Sequence, residues 1–407
     1  MTDAVIPGPL SGILVLDLSR VLSGPYCSMM LADMGARVIK IEHPVRGDDT
    51  RHWGPPFQHG ESAYFLSVNR NKESVAIDFS VPQGRALLDG LLPLADVVIE
   101  NFRPGTLRKF GLDYASLSAA YPSLIYCSIS GFGQTGRRSR EPGYDAIAQA
   151  EGGIMSVTGL PDGPPLRPGL PIADIASGMF AASGILAALF NRQQTGRGQA
   201  VDVALLDSVA ALLTYQGASY FATGAAPTRH GNRHALIAPY DLFTAADGDF
   251  ILAVGNDAQF QRCCDAMELA DLAQDPRFAT NRGRVERYEE LRPILDAKFR
   301  TADRGAWLAR LASVGVPAGP VRDVKEAMAD PQLRDRGMVR TVDHSTAGPL
   351  PLISSPINFS DGSPGVRTAP PVLGEHTGPV LKELLGLDEE ALRGLEAERV
   401  IVRAGTT

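Results

Sequence analysis

The stretch Pro168-Gly-Leu-Pro-Ile-Ala-Asp-Ile-Ala-Ser-Gly-Met-Phe-Ala-Ala-Ser-Gly-Ile-Leu-Ala-Ala-Leu-Phe190 runs from a proline-containing loop into a long apolar segment, with one acid, Asp174, at the join. Ile175, Met179, Ile185, Leu186 and Leu189 recur at helical spacing. The helix so predicted ends at Thr195-Gly-Arg-Gly198, where Gly196 can take the left-handed conformation of a helix end. An acid at a helix start ordinarily caps it, its carboxylate accepting the first free backbone N–H groups. Two features point beyond a cap. The positive helix end favours an ionised Asp174. Its small neighbours Ala176, Ser177 and Gly178 leave room for a bulky group to reach it. An ionised, approachable carboxylate can attack an activated acyl carbon.

Working outward, 407 residues are enough for a large core and two domains. Hydrophobic residues make up 44% and charged residues 21%, as in ordinary globular proteins. A net charge of −7 argues against general nucleic-acid binding, though a local basic pocket can still hold phosphates. Four cysteines are too few for a disulfide scaffold, and Cys27, Cys127, Cys263 and Cys264 have no zinc-site spacing. Reduced thiols in a cytoplasmic protein are expected. The N-terminus, with Asp3 and several prolines, lacks the basic, apolar and cleavage-site sequence of a signal peptide. Ser and Gly interrupt the most apolar segment, so no membrane span is expected.

Before this segment the pattern alternates. Gly12-Ile-Leu-Val-Leu-Asp-Leu18 reads as a buried strand, Gly24-Pro25 opens a helix, and Val38-Ile-Lys-Ile-Glu42 is a second strand. Such a β-α-β unit implies a parallel sheet with helical cover. Further strands are predicted at Val97–Glu100 and Leu124–Ser128, giving an open, Rossmann-like α/β sheet. Glu42 at a strand end invites an NAD-binding reading. The preceding turn, Leu18-Ser-Arg-Val-Leu-Ser-Gly-Pro25, lacks the glycines that a pyrophosphate fingerprint needs. A helix is predicted from Leu205 to about Phe221, then a linker-like segment. From Tyr240 to about Pro320 the texture is that of a smaller α+β domain, with a strand at Phe250–Val254 and helices at Leu291–Phe299 and Trp307–Val314. The expected layout is a large α/β domain from 1–225, a small α+β domain over 226–325, and a return segment with the C-terminal part of the large domain over 326–407.

Asp174 within Ala-Asp-Ile-Ala-Ser-Gly, followed by Thr195-Gly-Arg-Gly-Gln199 and Val201-Asp-Val203, resembles the core of the class III CoA-transferases (the formyl-CoA transferase, or CaiB/BaiF, family). Arg20-Val-Leu-Ser-Gly-Pro25, Val38–His43 with Gly47-Asp-Asp-Thr-Arg51, Asn69-Arg-Asn-Lys72 with Ser74–Asp78, Glu100-Asn-Phe-Arg-Pro-Gly105 and Gly143-Tyr-Asp145 match the family in order. The resemblance implies that Asp174 is the nucleophile and that no cofactor is permanently bound, CoA thioesters being substrates. It implies CoA contacts at Val21, Leu22, Ser23, His43, Ile77, Asp78, Asn101, Phe102, Arg103, Lys109, Tyr144 and Asp145. It implies that Pro370–Thr377 is a closing motif, that the tail returns to the large domain, and that two chains interlock as a homodimer. Gly47–Pro56 and Ser67–Lys72 are similar to the succinyl-CoA:glutarate CoA-transferase branch, whose relatives use succinyl-CoA with dicarboxylic acceptors.

Bland readings stand beside these. Arg51, Arg70 and Lys72 can be solvated surface charges, and Asn101 can cap the turn at Pro104-Gly105. Arg103 and Lys109 follow a strand end, where open α/β sheets bind ligands, and cations there suit phosphates. A distal carboxylate calls for an arginine fork, with Arg20, Arg51, Arg70 and Arg167 as candidates. His230-Gly-Asn-Arg-His234 reads as a plain loop or as a lid with Gly231 and Asn232 at its tip. It is a poor metal site, since two histidines have no nearby acid. Two rival functions remain: an α-methylacyl-CoA racemase, which needs a proton-transfer group on each face of the α-carbon, and a non-catalytic CoA-binding subunit. Tyr144 stands where the racemases carry His, and tyrosine titrates too high for a comfortable base.

Overall fold

Side chains along the strand Leu14–Asp17 alternate between two apolar layers: Val15 packs into one buried cluster and Leu16 into another. A strand buried on both faces needs helical cover on both, and it has it. The structure, a computed structural model, describes residues 8–361 and 365–405, so Asp3 lies outside the described residues. Among them, seven strands form one sheet in the order 401–402, 72–77, 37–42, 14–17, 97–100, 125–130, 200–204. All neighbours are parallel except Ile401–Val402, which pairs antiparallel with Lys72–Ile77. Leu14–Asp17 lies between Arg37–Glu42 and Val97–Glu100, so the chain reverses its direction of travel across the sheet at this strand. The crevice outside the carboxyl ends at such a reversal is where open α/β sheets hold ligands.

The helices Ser23–Asp33 and Ile172–Thr195 cover one face through Cys27, Leu31, Ala181, Ala182, Ile185 and Ala188. The helices Pro82–Leu91, Thr377–Leu385 and Glu389–Ala397 cover the other. The Ile172–Thr195 helix is long and apolar enough to cross a membrane by length and composition, but it lies on the sheet as a core helix. It ends at Gly196, whose φ of 70° lets its N–H donate to the Arg192 carbonyl at 2.8 Å. The helix expected from Leu205 to about Phe221 is instead two, Leu205–Leu212 and Thr214–Thr223, because Thr214 takes a φ of 40°, outside the helical range.

The chain divides into two compact units, one of residues 1–154, 167–215 and 331–407, the other of 155–166 and 216–330. Residues 155–166 and 216–225 therefore group with the second unit rather than the first. That unit holds an antiparallel sheet ordered 318–320, 249–253, 240–244, under a core of Phe243, Phe250, Phe299 and Trp307. Phe299 stands edge-on to both Phe250 and Trp307, at 5.0 and 5.3 Å between ring centres.

Within the first unit the return segment is tied down by buried polar groups. Arg70 forks onto Asp33, Nε to Oδ1 at 2.9 Å and Nη2 to Oδ2 at 2.5 Å, with only 5% and 2% of the two side chains exposed. Asn71 donates to Asp33 at 2.8 Å and to the Gly365 carbonyl at 2.7 Å, and accepts from the Arg367 N–H at 2.7 Å. Removing one partner of such a pair strands a buried charge, which costs about 3–5 kcal/mol. Arg70→Ala is expected to lower unfolding stability by that order, read as a shift in denaturant midpoint at unchanged slope.

Candidate active site

The site is assembled from the turns that follow the strand ends. Asp17, at the end of the central strand, accepts hydrogen bonds from the Ser19 backbone and from the Ser19 and Ser28 hydroxyls, and pairs with Lys72 at 3.3 Å. Burial alone would raise its carboxyl, but Lys72 and Lys40 override that and hold it below the ordinary value. Burial, with Lys40 close by, presses the Lys72 ammonium down to about 8. Lys40 in turn donates to the Ser19 carbonyl at 2.9 Å and pairs with Asp48 at 2.9 Å. Asp48, held at about 2 against its burial by Lys40 and Thr50, accepts the Val21 N–H at 3.2 Å with both oxygens. From the other side Asn101 accepts the Arg20 N–H at 2.8 Å and donates to the Arg20 carbonyl at 2.7 Å. Asn101 thus clamps the first turn rather than capping its own. Val21, a β-branched residue, is held in the left-handed region at φ 70°, a strained state that persists only because neighbours impose it.

This clamped turn borders a cavity of about 330 Å³, lined among others by Val21, Leu22, Ser23, Asn101, Phe102, Arg103, Tyr144 and Asp174. A second cavity, of about 180 Å³, lies at the ends of the next strands and is lined by His43, Ile77 and Asp78. Arg20, Asp49 and Phe102 border both cavities. Ten residues read from the sequence as CoA contacts thus line one cavity or the other. Lys109 does not; it is exposed, its ammonium 4.7 Å from the centre of the Phe110 ring, which does line the second cavity. Asp145 stands behind the wall, buried.

Asp145 explains the state of Asp174. The expected cap of the Ile172–Thr195 helix is not Asp174 but Asp145, whose Oδ1 accepts the Ala173 N–H at 2.9 Å and the Asp174 N–H at 3.3 Å. The free helix-end donors are thereby taken, and the Asp174 side chain is left to the cavity, whose wall it shares with Ser23. Contrary to the expectation that the helix end keeps Asp174 ionised, burial and the nearby Asp145 carboxylate push its carboxyl up to about 7, with Ser23 pulling the other way. The Tyr64 hydroxyl, which sequence reading missed, is pushed up to about 12 by burial and by Asp174. Tyr64 packs edge-on against Trp53 at 5.2 Å; Trp53 lies in a segment quoted only for its resemblance, Tyr64 lies in none, and no spacing marked either.

The small residues after Asp174 serve packing rather than ligand access. Ala176, Ser177 and Gly178 are buried, and a Cβ on Gly178 would come within 2.7 Å of the Ser23 carbonyl oxygen. Of the four candidate arginines, two are corrected. Arg51 is spent on Glu42, at 2.8 and 2.7 Å, and lies over the Phe65 ring. Arg70 is spent on Asp33. Neither these two nor Lys72 is a solvated surface charge: all are buried in ion pairs. Arg20 lines both cavities, 3.4 Å from Asp49. Arg167 stands 3.7 Å from Asp145, with 47% of its side chain exposed. Gly231 and Asn232 are exposed on the second unit, the Gly231 N–H donating to the Gly159 carbonyl at 2.9 Å.

The model of CoA-transferase family III matches residues 10–377. The chain belongs to that family. It is 42% identical over 393 residues to succinyl-CoA:glutarate CoA-transferase of Mus musculus, spanning 97% of this chain and 90% of that one. It is 44% identical over 389 residues to succinate–glutarate CoA-transferase of Agrobacterium fabrum, spanning 94% and 97%. A crystal structure of a CaiB/BaiF family protein from Brucella suis matches with a TM-score of 0.83 at 44% identity, covering 93% of this chain and 100% of that one. The reading of the chain as a class III CoA-transferase, acting on CoA thioesters, is borne out.

The raised Asp174 carboxyl has a consequence for stability. Its folded value, about 7, lies above the ordinary 3.8, so the folded chain binds a proton that the unfolded chain has lost, and stability falls as pH rises between the two. Asp174→Asn removes this term. The variant is expected to be more stable than the parent above pH 7, the gain disappearing below about pH 4, as read from unfolding midpoints across pH.

Proposed function

We propose that this enzyme transfers CoA from succinyl-CoA to a dicarboxylic acid such as glutarate through an aspartyl-CoA thioester on Asp174. What carries this reading is a carboxylate relieved of capping by Asp145 and facing a cavity at the sheet's reversal point. The names of the 40–44% identical relatives supply the substrates. An Asp174 oxygen attacks the thioester carbon; the C–S bond breaks and CoA leaves as thiolate, leaving a mixed anhydride. The thiolate attacks the aspartyl carbonyl carbon, the donor leaves as free carboxylate, and Asp174 carries CoA as a thioester. An oxygen of the acceptor carboxylate attacks that thioester, the thiolate leaves again and then attacks the acceptor's carbonyl in the new anhydride. Asp174 is returned as carboxylate. One thioester replaces another, so the exchange needs little driving force, and the covalent steps divide a difficult exchange into easier ones.

In this reading the two cavities, bordered jointly by Arg20, Asp49 and Phe102, hold the CoA moiety. Arg20, lining both cavities and only loosely paired with Asp49, takes the distal carboxylate of the acyl group. The enzyme works as an interlocked homodimer. Exposed Met179, Phe180 and Phe190 on one helix support an apolar contact face, testable by sedimentation at working concentration.

Asp174→Ala is expected to reduce exchange between succinyl-CoA and glutarate by more than about 10³-fold, with the fold intact by circular dichroism. Exchange within tenfold of the parent would sink the mechanism. Solvent deuterium entering the α-carbon without a free-acid acceptor would instead favour the racemase. A charge-assisted bond contributes roughly 1.5–3 kcal/mol. Arg20→Gln is therefore expected to narrow the preference for succinyl-CoA over butyryl-CoA by about one to two orders of magnitude, as measured by the ratio of kcat/KM values.

A further inference from the structure

Gln149 is wholly buried, yet the Oε1 of its amide has no hydrogen-bond partner among the described residues. A buried acceptor left unpaired is a cost that an apolar side chain of the same length would avoid. The amide nitrogen shows what is gained. Nε2 donates to Asp145 Oδ2 at 2.6 Å and lies 3.5 Å from the Leu170 carbonyl oxygen. Both neighbours of Nε2 are acceptors, so turning the amide over would set oxygen against oxygen on either side. Gln149 and Asp145 stand four residues apart on the helix Asp145–Glu151 and share its face. Leu170 belongs to the loop that enters the Ile172–Thr195 helix.

We propose that Gln149 is a positioning residue for the reaction: by aiming the Asp145 carboxylate it fixes the start of the Ile172–Thr195 helix, and with it the place of Asp174 in the cavity wall. The inference rests on Asp174 being the nucleophile. The relay is short. Asp145 Oδ1 accepts the Ala173 N–H at 2.9 Å and the Asp174 N–H at 3.3 Å, while Oδ2 accepts from Gln149. A carboxylate held by one oxygen still turns about its Cβ–Cγ bond, a soft torsion. Held by both, it turns only by breaking bonds. Arg167 does not replace Gln149: its Nη1 stands 3.7 Å from Oδ2, beyond hydrogen-bond reach, on a side chain 47% exposed. The helix has no other side-chain cap to fall back on, since Pro171 precedes it and makes none. Gln149 lines neither of the two cavities, so it acts through Asp145 and not on the substrate.

The test separates turnover from binding in Gln149→Met, which keeps the length of the side chain and removes the donor. A small misplacement of a reacting group costs rate without costing binding. The kcat for exchange between succinyl-CoA and glutarate is expected to fall about tenfold to a hundredfold. The dissociation constant of CoA itself, read by calorimetry, is expected to stay within about threefold of the parent value. An unchanged kcat overturns the proposal. So does a loss of CoA affinity as large as the loss in kcat, which a general disturbance of the fold would give. A second measurement needs no activity. The fall in unfolding midpoint caused by Gln149→Met is expected to vanish in an Asp145→Ala background, where the amide has no carboxylate to aim. The same fall in both backgrounds overturns the proposal. Should Gln149→Met not fold, Gln149→Asn, which draws the amide back by one methylene, replaces it with the same expectations. Retained exchange in Asp174→Ala would fail the nucleophile reading, while the unfolding cycle would still decide whether Gln149 acts through Asp145.

Discussion

The structure depends on a row of buried charges of alternating sign at the carboxyl ends of the central strands. Asp17 lies beside Lys40 in register, Glu42, Asp48 and Arg51 continue the row, and Lys72 reaches Asp17 from the start of its own strand, none of them more than slightly exposed. Each charge buried alone would cost several kcal/mol. Together they are compensated, and a compensated buried network has few alternative geometries. Its energetic yield over an apolar core is small. What it produces is placement: Lys40 holds the Ser19 carbonyl, and Asp48 holds the Val21 N–H in a backbone state that Val21 would not adopt unaided. The rigid turn so formed borders the larger cavity.

A second division of labour separates two acids at one helix start. Both could cap, and only one does. Asp145 reaches from an earlier helix to take the Ala173 and Asp174 donors, and in doing so brings a like charge near Asp174. The helix end offers an anion ~0.3–1 kcal/mol. One pH unit already represents ~1.4 kcal/mol, and Asp174 is displaced from 3.8 to about 7. Burial and the neighbouring acid therefore win. The result is a carboxyl whose charge is set near neutrality, the range in which small changes around it alter the ionised fraction most.

Much of the fold was legible. The strands at Leu14–Asp17, Arg37–Glu42 and Val97–Glu100 are short apolar runs between turn residues, and the Ile172–Thr195 helix carries its own stop at Gly196. These are local patterns, decided by residues within a few positions of one another. The strands at Lys72–Ile77 and Ala200–Ala204 were less so, since charged or small residues interrupt them and their pairing partners lie far away in the chain.

By itself the sequence determined which residue types were present for the chemistry: an acid at a helix start, a turn after the first strand, Asn101 and Phe102 after another. It also determined the order of the strands along the chain, though not across the sheet. Only the tertiary structure decided what each charge is for. Arg51 and Arg70 read the same as Arg20 in sequence, yet two are spent on Glu42 and Asp33 and one borders the larger cavity. Gly178 looked like space for a ligand and proved to be space for a helix. The reason is physical: the fate of a charge or a small side chain depends on desolvation and on partners, such as Asp145 for Asp174, brought together from 29 positions away in the chain by the packing of whole elements.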